Sequence, residues 1–451
     1  MSLYDFENED KIFPEVHNQY RFCLLTVSGR ARPASTVSLV FRVRQADQIQ
    51  ARAYTLKPEE ITLLNPNTGT CPVFRSRRDA EITIGIYQRV PILWRDGDRA
   101  GNPWDLSFMA MYHMANDSGL FQTEEALLAE GWRRDGNVYV RDGERMLPLY
   151  EAKMVHHFDH RFATYAGATE AQLNKGTLPR LEDADHDDPA RVPMPRYWVA
   201  ERVDSSGGSE QPETLFGEPA RDRSLGVDAR LGRWRHGWLL GWRDVARSVD
   251  ERTLIASVIP RVAVGDKFLL AFVPGKAACL QANLSALVTD YVVRQKLSGP
   301  ALKYFVIKQV AVLPPTAYDA VPPWDREAGS LEAWVTARVL ELTYTSYDIA
   351  AYARDLGDEG EPFRWDAQRR SLMRAELDAA YFHLYGVTRD DVDHILGTFP
   401  LVSEHYKGLV SEIYDEMATA TRKGKPYATR LDPPPAHGPR HPPRKTARGH
   451  A

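Results

Sequence analysis

Cysteine is scarce: Cys23, Cys71 and Cys279 are the only three in 451 residues, too few and too scattered for a disulfide framework or a zinc site. Reduced thiols in a cytoplasmic protein are the expectation. No apolar run reaches the roughly 18 to 20 residues that a membrane helix needs. The stretch from Tyr4 to Asp10 is acidic and aromatic where a signal peptide would be basic and then apolar. A basic excess is also missing: the formal net charge is −4, so a DNA-binding surface has to come from local clustering and not from total charge. What remains is ordinary globular material, 43% hydrophobic and 10% aromatic, long enough for two or three domains with a buried core.

Along the chain, Phe22 to Val27 and Val37 to Val43 are β-rich runs separated by Ser28-Gly29, and they read as neighbouring strands. Thr55 to Leu64 reads as a short helix or loop, Asn65 to Thr70 as a turn, and Asp79 to Val90 as a helix. Strand-length runs follow at Asn137 to Val140, Leu149 to Phe158, Tyr197 to Val199, Leu254 to Ile259 and Phe268 to Val273. Two hydrophilic inserts, Pro179 to Arg191 and Asp204 to Arg223, are expected to be mobile loops. From Leu331 to Tyr344 and Arg369 to Tyr385 the apolar spacing turns helical, with Leu377, Tyr381, Leu384 and Tyr385 on one stripe. The tail from Thr421 to Ala451 has eight Lys/Arg, one acidic residue (Asp432) and many prolines. It is expected to be disordered, either trailing along DNA phosphates or simply solvated.

Several segments in order resemble a known family. Leu3 to Asn8, Phe13-Pro14 and Arg21 to Thr26 are similar to late strands of the methyltransferase domain in large bacterial adenine-specific DNA methyltransferases. These are fused restriction-modification enzymes of the Eco57I-like kind and relatives in phage defence. Asn65 to Thr68, Pro72 to Asp79 and Ile86-Tyr87 resemble the connector that follows in those proteins. Pro148 to Met154 with Phe158 to Arg161, then Gly241 to Arg247 and Ala286 to Lys296, resemble their target-recognition domain. A helix from about Gln281 to Lys296, a Ser-Gly-Pro turn, a strand at Tyr304 to Ile307 and the exit Leu313-Pro314-Pro315 are similar to the closing unit of type I specificity subunits and TaqI-like specificity domains. The resemblance runs to about Asp415.

The departure from the family carries equal weight. Its enzymes bind S-adenosylmethionine through a Gly-rich turn and hold the flipped adenine against an Asn-Pro-Pro-Tyr or Asn-Pro-Pro-Phe tetrad. Asn65-Pro66-Asn67-Thr68 lacks the second proline and the aromatic, and reads as a turn. Gly207-Gly208 follows no strand. The chain therefore resembles the reading half of a DNA-modifying enzyme without its catalytic half.

Other constellations compete with that reading. Asp142, Glu151 and Lys153 mimic the carboxylate-plus-lysine pattern of Mg²⁺-dependent nucleases, a pattern short enough to arise by chance. His156-His157-Phe158-Asp159-His160 suggests a metal cluster, but neighbours on a strand face opposite sides, so structural or DNA-facing histidines fit better. Trp234, Trp238 and Trp242 recur every four residues, a spacing that on a helix belongs to core more often than to a stacking platform, and nearby glycines leave the helix itself in question.

Arg233, Arg235, Arg243, Arg247, Arg252 and Arg261 fall within thirty residues, with Asp244, Asp250 and Glu251 among them to pair some internally. Guanidinium forks suit phosphate and the guanine O6/N7 edge. The candidate DNA-contacting set is Lys153, Arg233, Arg235, Trp242, Arg243, Arg247, Arg252, Arg261, Lys296 and Lys303.

These readings converge on an α+β chain: a remnant of a methyltransferase sheet (1–60), a connector (61–145), a mixed target-recognition domain (146–320), a helical region (321–420) and a basic Pro-rich tail (421–451). The function expected is recognition of double-stranded DNA for an adenine-N6 methyltransferase, with no catalytic residues, metal or cofactor in this chain. S-adenosylmethionine is expected only in a separate catalytic polypeptide. The rival readings are a Mg²⁺-dependent nuclease, a partner-docking subunit that uses the N-terminal strands, and a non-functional truncated product.

Overall fold

Apolar alternation in the first sixty residues builds four strands, β1 (Ser2–Glu7), β2 (Arg21–Thr26), β3 (Val37–Val43) and β4 (Tyr54–Leu56), in a computed structural model that describes residues 1–202, 226–247, 250–297 and 299–444. The sheet order is β2-β1-β3-β4. The two runs expected to be neighbours are therefore parted by β1, which lies antiparallel to β2 and parallel to β3. Register explains the insertion: Tyr4 sits opposite both Leu24 and Val40, so apolar side chains of three strands share one face. The short helix α1 (Gln48–Arg52) helps cover that face, where Ile49 and Ala53 pack with Phe6, Val40 and Val43. Val37, Leu39 and Phe41 face the main core instead.

Pro58 opens α2 (Pro58–Leu64), and Ser76 caps α3 (Arg77–Arg89) by accepting from the Asp79 amide. Between them Asn65 to Thr70 is a turn, as the sequence implies, with Asn65 Nδ2 donating to the Thr70 carbonyl at 2.8 Å. Two further sheets follow. One is the antiparallel set β11 (Ala256–Pro260), β10 (Trp238–Arg243), β13 (Phe268–Phe272) and β5 (Ser107–Met109), in that order. The other runs β12 (Ala263–Val264), β8 (Glu144–Tyr150), β7 (Val138–Arg141), β6 (Arg133–Asp135), with β9 (Trp198–Ala200) also paired to β8. β10 is buried on both faces, hence its near-continuous apolar run. Gly241 is required there, since a Cβ would lie 2.5 Å from the Leu269 carbonyl oxygen.

Trp234, Trp238 and Trp242 are core residues, as their spacing suggests, but Trp238 and Trp242 lie on this strand and not on a helix. The expected strand from Leu149 to Phe158 stops at Tyr150 and gives way to a 3-10 turn at Ala152–Met154. The expected boundary at 145/146 is crossed by pairing: β5 joins β13, and Tyr112 bridges to Gly265.

Short helices α4 (Glu124–Ala129), α5 (Glu170–Asn174), α6 (Asp183–His186) and α7 (Val227–Leu231) punctuate the connections. The first hydrophilic insert is ordered, contrary to expectation. The buried Arg161 guanidinium donates to the carbonyls of His186, Asp188 and Arg191, and His186 stacks on Trp365 at 3.8 Å. The second insert falls in 203–225, outside the described residues.

The helix expected from Gln281 to Lys296 is two, α8 (Ala277–Ser285) and α9 (Leu287–Lys296), broken at an extended Ala286. Buried side chains satisfy the broken backbone: Arg252 donates to the Ser285 carbonyl, and the Leu287 amide donates to Asp378 at 2.7 Å. Tyr304–Ile307, expected as a strand, is the helical turn α10. The rest is helical: α11 (Leu331–Thr343), α12 (Ala350–Asp355), α13 (Ala367–Leu384), α14 (Arg389–Gly397) and α15 (Glu404–Lys423).

The tail is not disordered as far as Arg444. Tyr427, Leu431 and His441 are buried, and Arg440 pairs with Asp358 at 2.5 Å. Periodicity could not announce this, because the strap has no regular structure and is held by individual contacts. The molecule is thus mixed α/β in several small sheets, about 36% helix and 17% strand. Among the described residues no helix is long and apolar enough to cross a membrane.

Candidate nucleic-acid interface

The turn that follows β8 gathers two histidines held below their ordinary range and an arginine lowered by burial. Its backbone folds back through paired hydrogen bonds between His156 and Asp159, presenting Phe162 half-buried beside it. Arg243, at the end of β10, donates through Nε to the Val155 carbonyl at 2.7 Å. Its guanidinium lies 5.5 Å from the Phe162 ring centre. Arg180 reaches the same ring at 4.9 Å, brought there by the antiparallel bridge between Ala163 and Arg180. The His156 ring lies 4.7 Å from it.

Neither Arg243 nor Arg180 forms an ion pair among the described residues. Burial, then repulsion by Arg180, pushes the Arg243 pKa down to about 10. His156 is held well below the ordinary histidine range by burial first, then by Arg243 and Arg374. His157 is held low by burial, then Arg252, His156 and Arg374, and neither of its ring nitrogens has a hydrogen-bond partner. The nearest carboxylate, Asp159, is committed elsewhere: it accepts from His186 at 3.2 Å and from the Arg161 amide at 2.9 Å. Burial pushes Asp159 up, yet His186, Arg370 and His160 together outweigh it and bring the group down to about 2. Arginines from three separate segments thus surround one aromatic turn with a surplus of positive charge. Such an arrangement favours an anion carrying a planar neighbour, with guanidinium forks for phosphate and a ring face for stacking.

Of the residues singled out by sequence, Arg243 belongs to this arrangement. Arg247 is exposed and pairs with Asp250 at 2.9 Å; Arg233 and Arg235 are exposed on the loop before β10. The others are taken up by partners within the protein, Lys153 and Lys303 while still partly exposed. Trp242 is 1% exposed and donates to the Leu302 carbonyl. Arg252 is buried against Asp290, and Arg261 binds Asp228 at 2.9 Å and the Trp234 carbonyl. Lys296 donates to the Leu64 carbonyl and Asn65 Oδ1, both at 2.5 Å, capping α2; burial holds its pKa well below the ordinary lysine range. Lys303 binds Asp244 at 2.6 Å, and Lys153 lies 3.4 Å from Glu151. Trp242, Arg252 and Lys296 are therefore structural, because a phosphate cannot reach groups whose donors are spent in the interior.

The nuclease constellation is not assembled. Asp142 sits at the tip of the β7-β8 hairpin with φ of 49°, and Glu151 lies beyond the opposite end of β8. A seven-residue strand separates them by roughly 20 Å, and Glu151 accepts from the Tyr165 hydroxyl. Among the described residues no group of three His, Cys, Asp or Glu is placed to hold a metal ion. The histidine run is structural in part: His160 meets Asp348 at 3.0 Å.

Sequence reasoning missed Arg180, Phe162 and Arg374. Arg180 opens the acidic insert taken for a loose loop, and Arg374 lies on a helix read only for its apolar stripe. No local pattern links them, since tertiary packing alone brings them to one turn. Comparison with protein-family models, with curated proteins and with solved structures finds no match.

Proposed function

We propose that this chain is a sequence-reading module that binds duplex DNA on behalf of an adenine-N6 methyltransferase of a restriction-modification or phage-defence system. Chemistry and S-adenosylmethionine binding belong, in this reading, to a separate polypeptide. The observation that carries it is the arginine-aromatic arrangement of Arg180, Phe162 and Arg243, two guanidiniums without a carboxylate beside a half-buried ring. It falls within the segment that resembles a target-recognition domain. Phosphate contacts from the exposed Arg180, Arg233 and Arg235 set register in this scheme, with Arg243 holding the turn beside them through the Val155 carbonyl, and side chains nearby read base edges.

The test is selection of purified protein on a randomised duplex pool, with salt titrated. Enrichment of a motif containing adenine, with affinity that falls steeply as salt rises and is lost in Arg180→Glu, is the expected result. Binding that is absent at low salt, or unchanged by Arg180→Glu, sinks the proposal.

A further inference from the structure

Among the described residues, seven of the thirteen large apolar side chains left exposed lie in the first 27 positions, and four of them, Tyr20, Leu24, Leu25 and Val27, lie on or beside β2. β2 is the terminal strand of its sheet. Its inner edge is spent on β1 in continuous register from Arg21 to Thr26, while its outer edge pairs with no strand among the described residues. Such an edge presents alternate N–H and C=O groups to whatever meets it, and proteins normally blunt it with charge, proline or a bulge. β2 has none of these along its length beyond Arg21 at one end. Leu24 and Leu25 are 57% and 60% exposed and, as consecutive strand residues, project from opposite faces. An added strand would therefore gain apolar contact on both sides of the sheet as well as backbone hydrogen bonds.

Charge decides the occupant. From Val16 to Ala46 the chain has no acidic residue and five arginines. Arg30 and Arg32 stand exposed on the loop that leaves β2 and form no ion pair among the described residues. Paired edge to edge and antiparallel, a second copy would bring Arg30 and Arg32 to the Arg21 end of its partner's β2, where no acidic residue lies between Val16 and Ala46 to meet them, whereas an acidic strand would neutralise them. We infer that β2 is an acceptor edge for an extended, alternating apolar and acidic segment of another polypeptide, added as a fifth strand to the N-terminal sheet. The inference is independent of DNA binding, which involves other residues, so either can fail alone.

The probe is a short peptide alternating valine and glutamate, compared with the same peptide carrying lysine for glutamate. Expected are slowed amide exchange at Arg21 to Thr26 with the acidic peptide and binding about tenfold tighter than for the lysine form. The double variant Arg30→Glu/Arg32→Glu, on exposed side chains whose change leaves the fold intact, is expected to reverse that preference. Leu25→Asp, at an equally exposed site, is expected to abolish binding. Equal binding of both peptides, or protection elsewhere than β2, overturns the inference. So does a micromolar homodimer in sedimentation that Leu25→Asp dissociates, because the occupant is then a second copy.

Discussion

Arg252 and Asp290 form an ion pair of 3.1 Å in which both side chains are buried, 6% and 0% exposed. Asp290 is the centre of a wider network: it also accepts from the amides of Thr253 and Leu254 and from Arg294 at 2.9 Å. The pair joins the segment before β11 to the start of α9 at the place where α8 and α9 break.

Removing one member strands the other. Asp290→Ala leaves two buried guanidiniums and two buried amides short of their acceptor, so a loss of about 3–5 kcal/mol in urea unfolding is expected. A loss below about 1 kcal/mol would show that Arg252 and Arg294 are not left stranded when Asp290 is removed.

Acid should loosen the same region. His156 and His157 are held below the ordinary histidine range by burial and by Arg243, Arg374 and Arg252, with Asp159 opposing at His156. Above about pH 6.5 both states of the chain keep these rings neutral, and they add no pH dependence. Below it the unfolded chain takes up protons that the folded one refuses, so stability falls by about 1.4 kcal/mol per pH unit for each ring until the folded pKa is reached. Urea midpoints at pH 7.5 and 5.5 test this: the drop should shrink in His157→Leu. Equal drops in both proteins would remove His157 as the cause.

The salt dependence of DNA binding separates surface from interior. Arg180→Ala should lower the log-log salt slope by about 0.9, the share of one phosphate contact. Lys303→Ala should leave the slope unchanged, since Lys303 is spent on Asp244. Identical slopes for Arg180→Ala and the parent would place the phosphates elsewhere.

The C-terminal strap completes a buried charge. Glu376 is 0% exposed and holds Arg338 at 2.8 Å through one oxygen, while the other accepts from Tyr427 at 3.0 Å and Thr429 at 2.5 Å. Tyr427→Phe should cost about 1 kcal/mol, the net worth of one hydrogen bond, because Thr429 still donates to the same oxygen. Thermal unfolding measures it, and an unchanged midpoint would mean that the strap does not support Glu376.

What was legible in the sequence was local. Apolar periodicity placed α3, α11, α13, β11 and β13 within a few residues, because each buries a face or a whole strand that its own composition reveals; β10 was hidden behind tryptophans at helical spacing. The insertion of β1 between two strands was not legible, since it depends on register between segments. Nor was the break at Ala286, which exists because Arg252 and Asp378 arrive from elsewhere to cap it. The arginine cluster misled for a related reason: Arg243 and Arg252 lie nine positions apart, yet one stands beside an aromatic turn and the other is sealed against a carboxylate. Composition predicts how many charges a surface needs, whereas partners decide which of them reach it.

The pairing of Met109 with Leu270 places β5 beside β13 across much of the chain. A sheet assembled from such distant pieces cannot zip up from a local hairpin; large loops must close before the strand pairing repays their lost entropy. Refolding of this body is therefore expected on the slow side for its size, with β10, β11 and β13 able to meet first and β5 joining late. Until it does, the outer edge of β13 stays uncovered, and that interval is when the chain is most exposed to misassembly with its own kind.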